Sequence, residues 1–233
     1  MSLFQYHADI IAAFPGIVGG VALVRGLRMG ATPAELAGEF RAEQQAVLQR
    51  LGDRPLSELP SLAAWRAAFR AFGVDPTQYR SAAEALLRRL TRKGDIPHIN
   101  TLVDIGNLVS IRYALPVAAM DLRGIEGGIT VRYADGSEPF RNLNQTEVEH
   151  PAPGEVIFAD AAGTVVARRW CWRQADVVGA RDDTTDILFI VEGLHAQAQQ
   201  DVTAALEDLR RLLSAYAPGV IETGLLHAGH PAF

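Results

Sequence analysis

One cysteine, Cys171, is all that 233 residues contain. That excludes an internal disulfide framework and a cysteine-built zinc site. No apolar run approaches the roughly 20 residues that a membrane-spanning helix needs. The first residues lack a basic segment followed by an apolar core, so no secretory leader is expected. These absences together point to the cytoplasm. Gly19-Gly20 lies inside an apolar run and lacks the Gly-x-x-x-x-Gly-Lys spacing of a phosphate loop. A Gly-x-Ser-x-Gly nucleophile elbow is also missing. His227 and His230 sit in a glycine-rich tail with no further ligand nearby, so neither a metal nor another cofactor is expected. Internal repeats and low-complexity segments are absent.

What the chain does have is apolar content, 48% of its residues, enough for a sizeable core. The formal net charge is −5, which argues mildly against general nucleic-acid binding, but the distribution is uneven. Residues 61–100 carry seven Lys/Arg against three Asp/Glu, and residues 141–233 carry seven against thirteen. A polyanion could meet the first region and not the second. A solvated helix face would show the same run of arginines.

Ile17 to Arg25 reads as a buried strand. Thr32-Pro33-Ala34-Glu35 opens a helix that runs to about Leu51 and ends at Gly52. A second helix spans Ser61 to Phe72, with Trp65, Ala68, Phe69 and Phe72 on one face. Ser81-Ala82-Ala83-Glu84 is a capping box for a third, which carries Arg88, Arg89, Arg92 and Lys93 in its last turns. Asn100-Thr101 starts a fourth, and Pro116 stops it. Val117 to Asp121 is extended. From Gly128 the period becomes alternating: Ile129 to Tyr133 is a strand, Ala134 to Ser137 a hairpin turn, Glu155 to Ala159 a strand, and Thr164 to Trp172 its return partner. Thr185 to Leu194 is the most apolar strand. Gln197 to Tyr216 is an amphipathic helix, and Val220 to Leu226 can add a last strand. Helices followed by strands and a helix give an α+β fold: N-terminal helices on a mixed, mostly antiparallel β-sheet, with a C-terminal helix. The expected division is an N-terminal extension, 1–60, and a main domain, 61–233.

The run Arg168-Arg169-Trp170-Cys171-Trp172-Arg173-Gln174 mixes aromatic surface with hydrogen-bonding groups. Read as a strand, it sets Arg169, Cys171 and Arg173 on one face and Trp170, Trp172 and Gln174 on the other. Such a face suits a small polar ligand with an apolar part. It equally suits core tryptophans flanked by snorkelling arginines. His98 and His195 stand alone at element boundaries, where either a base or an ordinary surface histidine is compatible. Thr184-Thr185-Asp186 stands at the start of the last long strand, lining a pocket or satisfying a turn.

In order and spacing these pieces resemble the B3/4-type editing domain of the phenylalanyl-tRNA synthetase β subunit, and more its free-standing relatives than the synthetase. The resemblance covers roughly Pro60 to Leu194. It rests on Tyr79-Arg80-Ser81 with Glu84 to Arg89, on Val103-Asp104-Ile105-Gly106-Asn107, and on Leu115 to Asp121 with Gly124 to Arg132. The Glu155 to Asp160 strand and Thr184 to Ile187 complete the series. It implies hydrolysis, in trans, of the ester of a mischarged aminoacyl-tRNA, with the tRNA 3′ end as partner. The site it implies has Asn107, Arg173 and Gln174 orienting the ester and amino group, with Thr185 nearby. Trp170 or Trp172 walls the side-chain pocket, and Asp104 and Asp121 serve the α-ammonium or act as structural caps. Arg80, Arg88, Arg89, Arg92 and Lys93 meet tRNA phosphates. Two positions depart from the synthetase pattern. Its common histidine is Ala118 here, and its tyrosine-reading carboxylate falls near Gln174. The competing reading is a non-catalytic module that binds tRNA or a free amino acid; a third is hydrolysis of another small aminoacyl compound.

Overall fold

The computed structural model describes residues 2–28 and 30–233. Its centre is a four-stranded antiparallel sheet in the order β11-β2-β10-β3, formed by Val220–Leu226 (β11), Val18–Arg25 (β2), Ile187–Gly193 (β10) and Val117–Asp121 (β3). Both faces of β2 and β10 are covered, which is why their sequences are almost unbroken apolar runs rather than alternating ones.

One face of this sheet, through Ala22, Val24, Phe189 and Val191, packs on four helices. These are Ala34–Leu51 (α2), Ala82–Lys93 (α4), Thr101–Tyr113 (α5) and Ala198–Tyr216 (α6). The other face, through Val21, Leu23, Leu188 and Ile190, packs on a second sheet and on Pro60–Ala71 (α3). That second sheet has the order β1-β4-β7-β8-β9: Phe4–Tyr6, Ile129–Tyr133, Val156–Ala159, Val165–Arg168 and Arg173–Gln174. Only β1 with β4 is parallel. A short helix, Ala8–Ala13 (α1), follows β1, and Phe140–Arg141 (β5) pairs with Val148–Glu149 (β6). Among the described residues, no helix is long and apolar enough to cross a membrane. The architecture is α+β with mostly antiparallel sheets and a C-terminal helix, followed by one strand. The first 60 residues supply a strand to each of the two larger sheets, and β2 is an inner strand, hydrogen-bonded on both edges.

The starts of α4 and α5 follow the capping chemistry, whereas α2 begins after Pro33 with no side-chain cap. Ser81 Oγ accepts from Glu84 N–H, and Asn100 Oδ1 accepts from Val103 N–H. Helix α5 ends at Tyr113, three residues before Pro116, with Ala114 in the left-handed region at φ 52°. The residue before a proline avoids the α region, so the chain has already left the helix.

Two sequence expectations are corrected. The hairpin expected at Ala134–Ser137 does not form, because β4 pairs with β1 and β7 instead. Glu138 turns back to accept from Asp135 N–H and Gly136 N–H, closing a local loop. The strands divide among three sheets of five, four and two strands. The return strand ends at Arg168: residues 169–172 are a turn, with φ 45° at Arg169 and 60° at Trp170. Left-handed backbone costs an ordinary residue on the order of 1–2 kcal/mol. Here side chains hold it. The Trp170 ring is fully buried against Phe14, Trp65 and Phe72. The Arg169 guanidinium stacks 3.7 Å over Tyr79 and 4.3 Å over Trp172. Arg168 bonds Glu155 through Nε and Nη2 at 2.9 and 3.0 Å. The two faces expected over 169–174 therefore do not exist.

Candidate functional site

The turn at 169–172 opens a small chamber between the sheets. Its walls include Pro116, Val117, Ala118, Phe158, Trp170, Cys171, Trp172, Arg173, Gln174, Ile190 and Glu192, and its volume is about 80 Å³. An outer cleft of about 510 Å³ adjoins it, lined by Ile99, Val103, Gly106, Asn107, Asn142, Leu143 and the shared Val117, Arg173 and Gln174. A basic groove, also about 510 Å³, runs along α4 past Tyr79, Arg80, Arg88, Arg89, Arg92 and Lys93 to Trp172 and Arg173. Arg173 lines all three. Its guanidinium lies 4.8 Å from the Trp172 ring, and no carboxylate among the described residues pairs with it.

The back of the chamber holds a group that the sequence reading passed over. Glu192 lies near the end of β10 and is 3% exposed. Its Oε1 accepts from Tyr6 Oη at 2.8 Å and from Trp170 Nε1 at 2.9 Å. Oε2 takes no hydrogen bond from the described residues. Burial without a cationic partner raises the carboxyl pKa to about 7, against the pull of the two donors. The same burial, with Glu192 beside it, holds the Tyr6 hydroxyl protonated well above its ordinary range. Glycine makes the contact possible: Gly19 is the register partner of Glu192, and a Cβ there would collide with the Tyr6 hydroxyl. This is what Gly19 does in place of binding phosphate. A charged residue closing the run Ile187-Leu188-Phe189-Ile190-Val191 was the available signal, since a buried carboxylate needs donors. Those donors come from 186 and 22 residues away.

The expected site residues divide. Asn107, Ala118, Trp170, Trp172, Arg173 and Gln174 come together around the chamber and cleft. Gln174 is not free to orient a ligand: its Nε2 donates to Ala119 O at 2.9 Å and its Oε1 accepts from Ala119 N–H at 3.4 Å, tying β9 to β3. Asp104 is fully buried and lines none of these hollows. It accepts from Ile99 N–H and pairs with His98 Nδ1, so it is a cap. Asp121 is buried, which pushes its carboxyl up, but it accepts from the Thr184 hydroxyl and pairs with Arg123, and these hold it below the ordinary range. Thr185 is exposed and faces Asp186 rather than the chamber.

Cys171 also lines the chamber, and burial pushes its thiol pKa up, which disfavours the nucleophilic thiolate. His195 bonds Asp201 at 2.8 Å in a different hollow, between α2, α5 and α6. His227 and His230 pair with each other through their backbones. The basic groove is partly neutralised from within. Glu84, 2% exposed, takes Arg66 at 2.8 Å and Arg88 at 3.0 Å, with Arg80 at 3.8 Å. Arg89 faces Asp95 at 3.6 Å. Arg92 and Lys93 have no such partner among the described residues.

A family model described as the B3/4 domain matches residues 64–217. The phenylalanine–tRNA ligase beta subunit of Shewanella oneidensis is 31% identical over 109 residues, 47% of this chain and 13% of that protein. Its counterpart in Nocardia farcinica is 34% identical over 122 residues, 52% of this chain and 14% of that protein. A crystal structure of an N-terminal fragment of the phenylalanyl-tRNA synthetase beta subunit from Pyrococcus horikoshii aligns with a TM-score of 0.49 and 14% identity, over 94% of this chain and 49% of that one. The chain thus spans only a small part of the length of the curated relatives it matches.

Proposed function

The chain belongs to the B3/4 domain family, and on that premise we propose that it hydrolyses, in trans, the ester of a mischarged aminoacyl-tRNA. One observation carries the proposal: Arg173 stands where a side-chain-sized chamber, a larger cleft and a basic groove meet. An aminoacyl-tRNA end needs those three environments, for its amino-acid side chain, its terminal nucleoside and its phosphates. The similarity to phenylalanine–tRNA ligase beta subunits supports tRNA as the carrier.

Water attacks the ester carbonyl carbon, an oxyanion develops on the carbonyl oxygen, and the bond to the ribose oxygen breaks with a proton passing to that oxygen. Free amino acid and deacylated tRNA leave. Arg173 faces the developing oxyanion, where one preorganised donor contributes on the order of 3–4 kcal/mol. Asn107, across the cleft, orients the ester or amino group. Gln174 is a positioning residue, holding the rim through Ala119. Trp170 and Trp172 wall the side-chain chamber. Ala118 supplies no base, so the attacking water is activated by positioning and by the ribose hydroxyl beside the ester. Arg92 and Lys93 meet phosphate first, with Arg80, Arg88 and Arg89 contributing less because Glu84 and Asp95 already hold them.

The test is deacylation of radiolabelled aminoacyl-tRNAs, correct and mischarged, by the purified protein and by Arg173→Ala. Release from one mischarged species, lost in the variant, is expected. Salt-sensitive tRNA binding with no release from any species would establish the binding-module reading instead, which the missing histidine at Ala118 favours.

A further inference from the structure

We infer that the chamber selects a small hydroxyl-bearing aminoacyl side chain, with Glu192 as the residue that reads the hydroxyl. The inference rests on the aminoacyl-ester reading of the site and names the substrate class within it.

Size comes first. An apolar cavity of about 150 Å³ is enough for benzene. At about 80 Å³ the chamber has room for roughly half as many heavy atoms, about three. A tyrosyl phenol, larger than benzene, does not fit. Threonyl and seryl side chains do, and so do valyl and alanyl.

Polarity separates the remaining four. The wall is mostly aromatic and aliphatic: Phe158, Ile190, Val117, Ala118 and the two tryptophans. Glu192 interrupts it. Both protein donors, Tyr6 Oη and Trp170 Nε1, go to Oε1. Oε2 is left without a protein donor in a side chain that is almost wholly buried. An apolar ligand that displaces water from the chamber strands this oxygen, and a stranded buried acceptor is costly. A hydroxyl satisfies it in either protonation state, donating to the carboxylate or accepting from the carboxylic acid. A site built to hydrogen-bond a hydroxyl rejects the isostere lacking it far more strongly than an apolar pocket rejects one extra methylene. Threonyl against valyl is therefore the decisive pair: same shape, one hydroxyl different.

The test measures binding apart from turnover. Adenosines carrying a 3′-amide-linked threonyl, seryl, valyl, alanyl or tyrosyl group cannot be hydrolysed, and their affinities are read by calorimetry. The matching aminoacyl-tRNAs report hydrolysis. The threonyl analogue is expected to bind at least tenfold more tightly than the valyl one, with tyrosyl weakest. Glu192→Met, which removes the free oxygen at similar volume, is expected to abolish the threonyl–valyl difference. The comparison of ligands on the unmodified protein stands even where that variant fails to fold. Equal affinity for threonyl and valyl, or preference for tyrosyl, overturns the inference. A threonyl preference with no hydrolysis of any aminoacyl-tRNA sinks the deacylase reading and leaves the selectivity in place. Binding of none of the analogues overturns both.

Discussion

Replacing Glu192 with Gln should invert its effect on stability across neutral pH. The carboxyl rises from an ordinary 4.5 to about 7 in the fold. A raised acid favours the folded state while protonated. Its contribution is complete below about 4.5 and is lost as pH climbs through about 7. A shift of this size corresponds to about 3 kcal/mol, at 1.36 kcal/mol per pKa unit. Glutamine keeps an acceptor for Tyr6 and Trp170 and does not ionise. At pH 5 the variant should be equal to the parent or weaker by up to about 1 kcal/mol, the scale of one altered hydrogen bond. At pH 8 it should be more stable by about 2 kcal/mol or more, since the parent then buries a charge. Urea unfolding at pH 5, 6, 7 and 8, at constant ionic strength, reads the difference directly. Tyr6, whose hydroxyl stays protonated throughout this range, adds no titration of its own. A stability difference that does not change with pH would refute the reasoning, because it would mean that the carboxyl titrates alike in the folded and unfolded chains.

Four further outcomes are expected. Arg173→Ala, at an exposed position with no ion pair, should lower deacylation by about 10²–10³-fold while a thermal melt stays within about 1 °C of the parent. Arg92→Ala and Lys93→Ala should each reduce the slope of log affinity for tRNA against log salt by about 0.7–0.9; Arg80→Ala, whose guanidinium already faces Glu84, should reduce it less, and equal losses would remove the distinction. Gly19→Ala should destabilise the fold by about 1–3 kcal/mol in urea titration, because its methyl group meets the Tyr6 hydroxyl. Trp170→Ala should cost about 3–5 kcal/mol by the same titration, since it empties the centre of the Phe14–Trp65–Phe72 cluster and takes one of the two donors from Glu192; a loss under 1 kcal/mol would contradict the packing.

The elements of this protein were legible along the chain because they are set by neighbours. Capping residues Ser81 and Asn100, the apolar faces of α3 and α6, and the unbroken apolar runs of β2 and β10 all act within a few residues of themselves. Their order and spacing also carried the family, and the arginines of α4 announced a basic face. The site depended on contacts that sequence does not encode locally. Residues 168–174 read as a strand by composition, yet a buried indole and a stacked guanidinium bend them into a turn, which moves Trp170 inward and Arg173 to the mouth. Asp104, Asp121, Gln174 and Thr185 were all plausible ligand contacts by residue type. Backbone donors and ion pairs from elsewhere occupy the first three, and the fourth lies exposed in the loop before β10. Glu192 shows the limit most clearly. Its charge in an apolar strand was visible, but its meaning required Tyr6 to arrive from 186 residues away, over a glycine that leaves space for it. Burial and partnership are properties of the assembled layers, so only the tertiary structure could decide which polar groups were used up and which oxygen was left to meet a ligand.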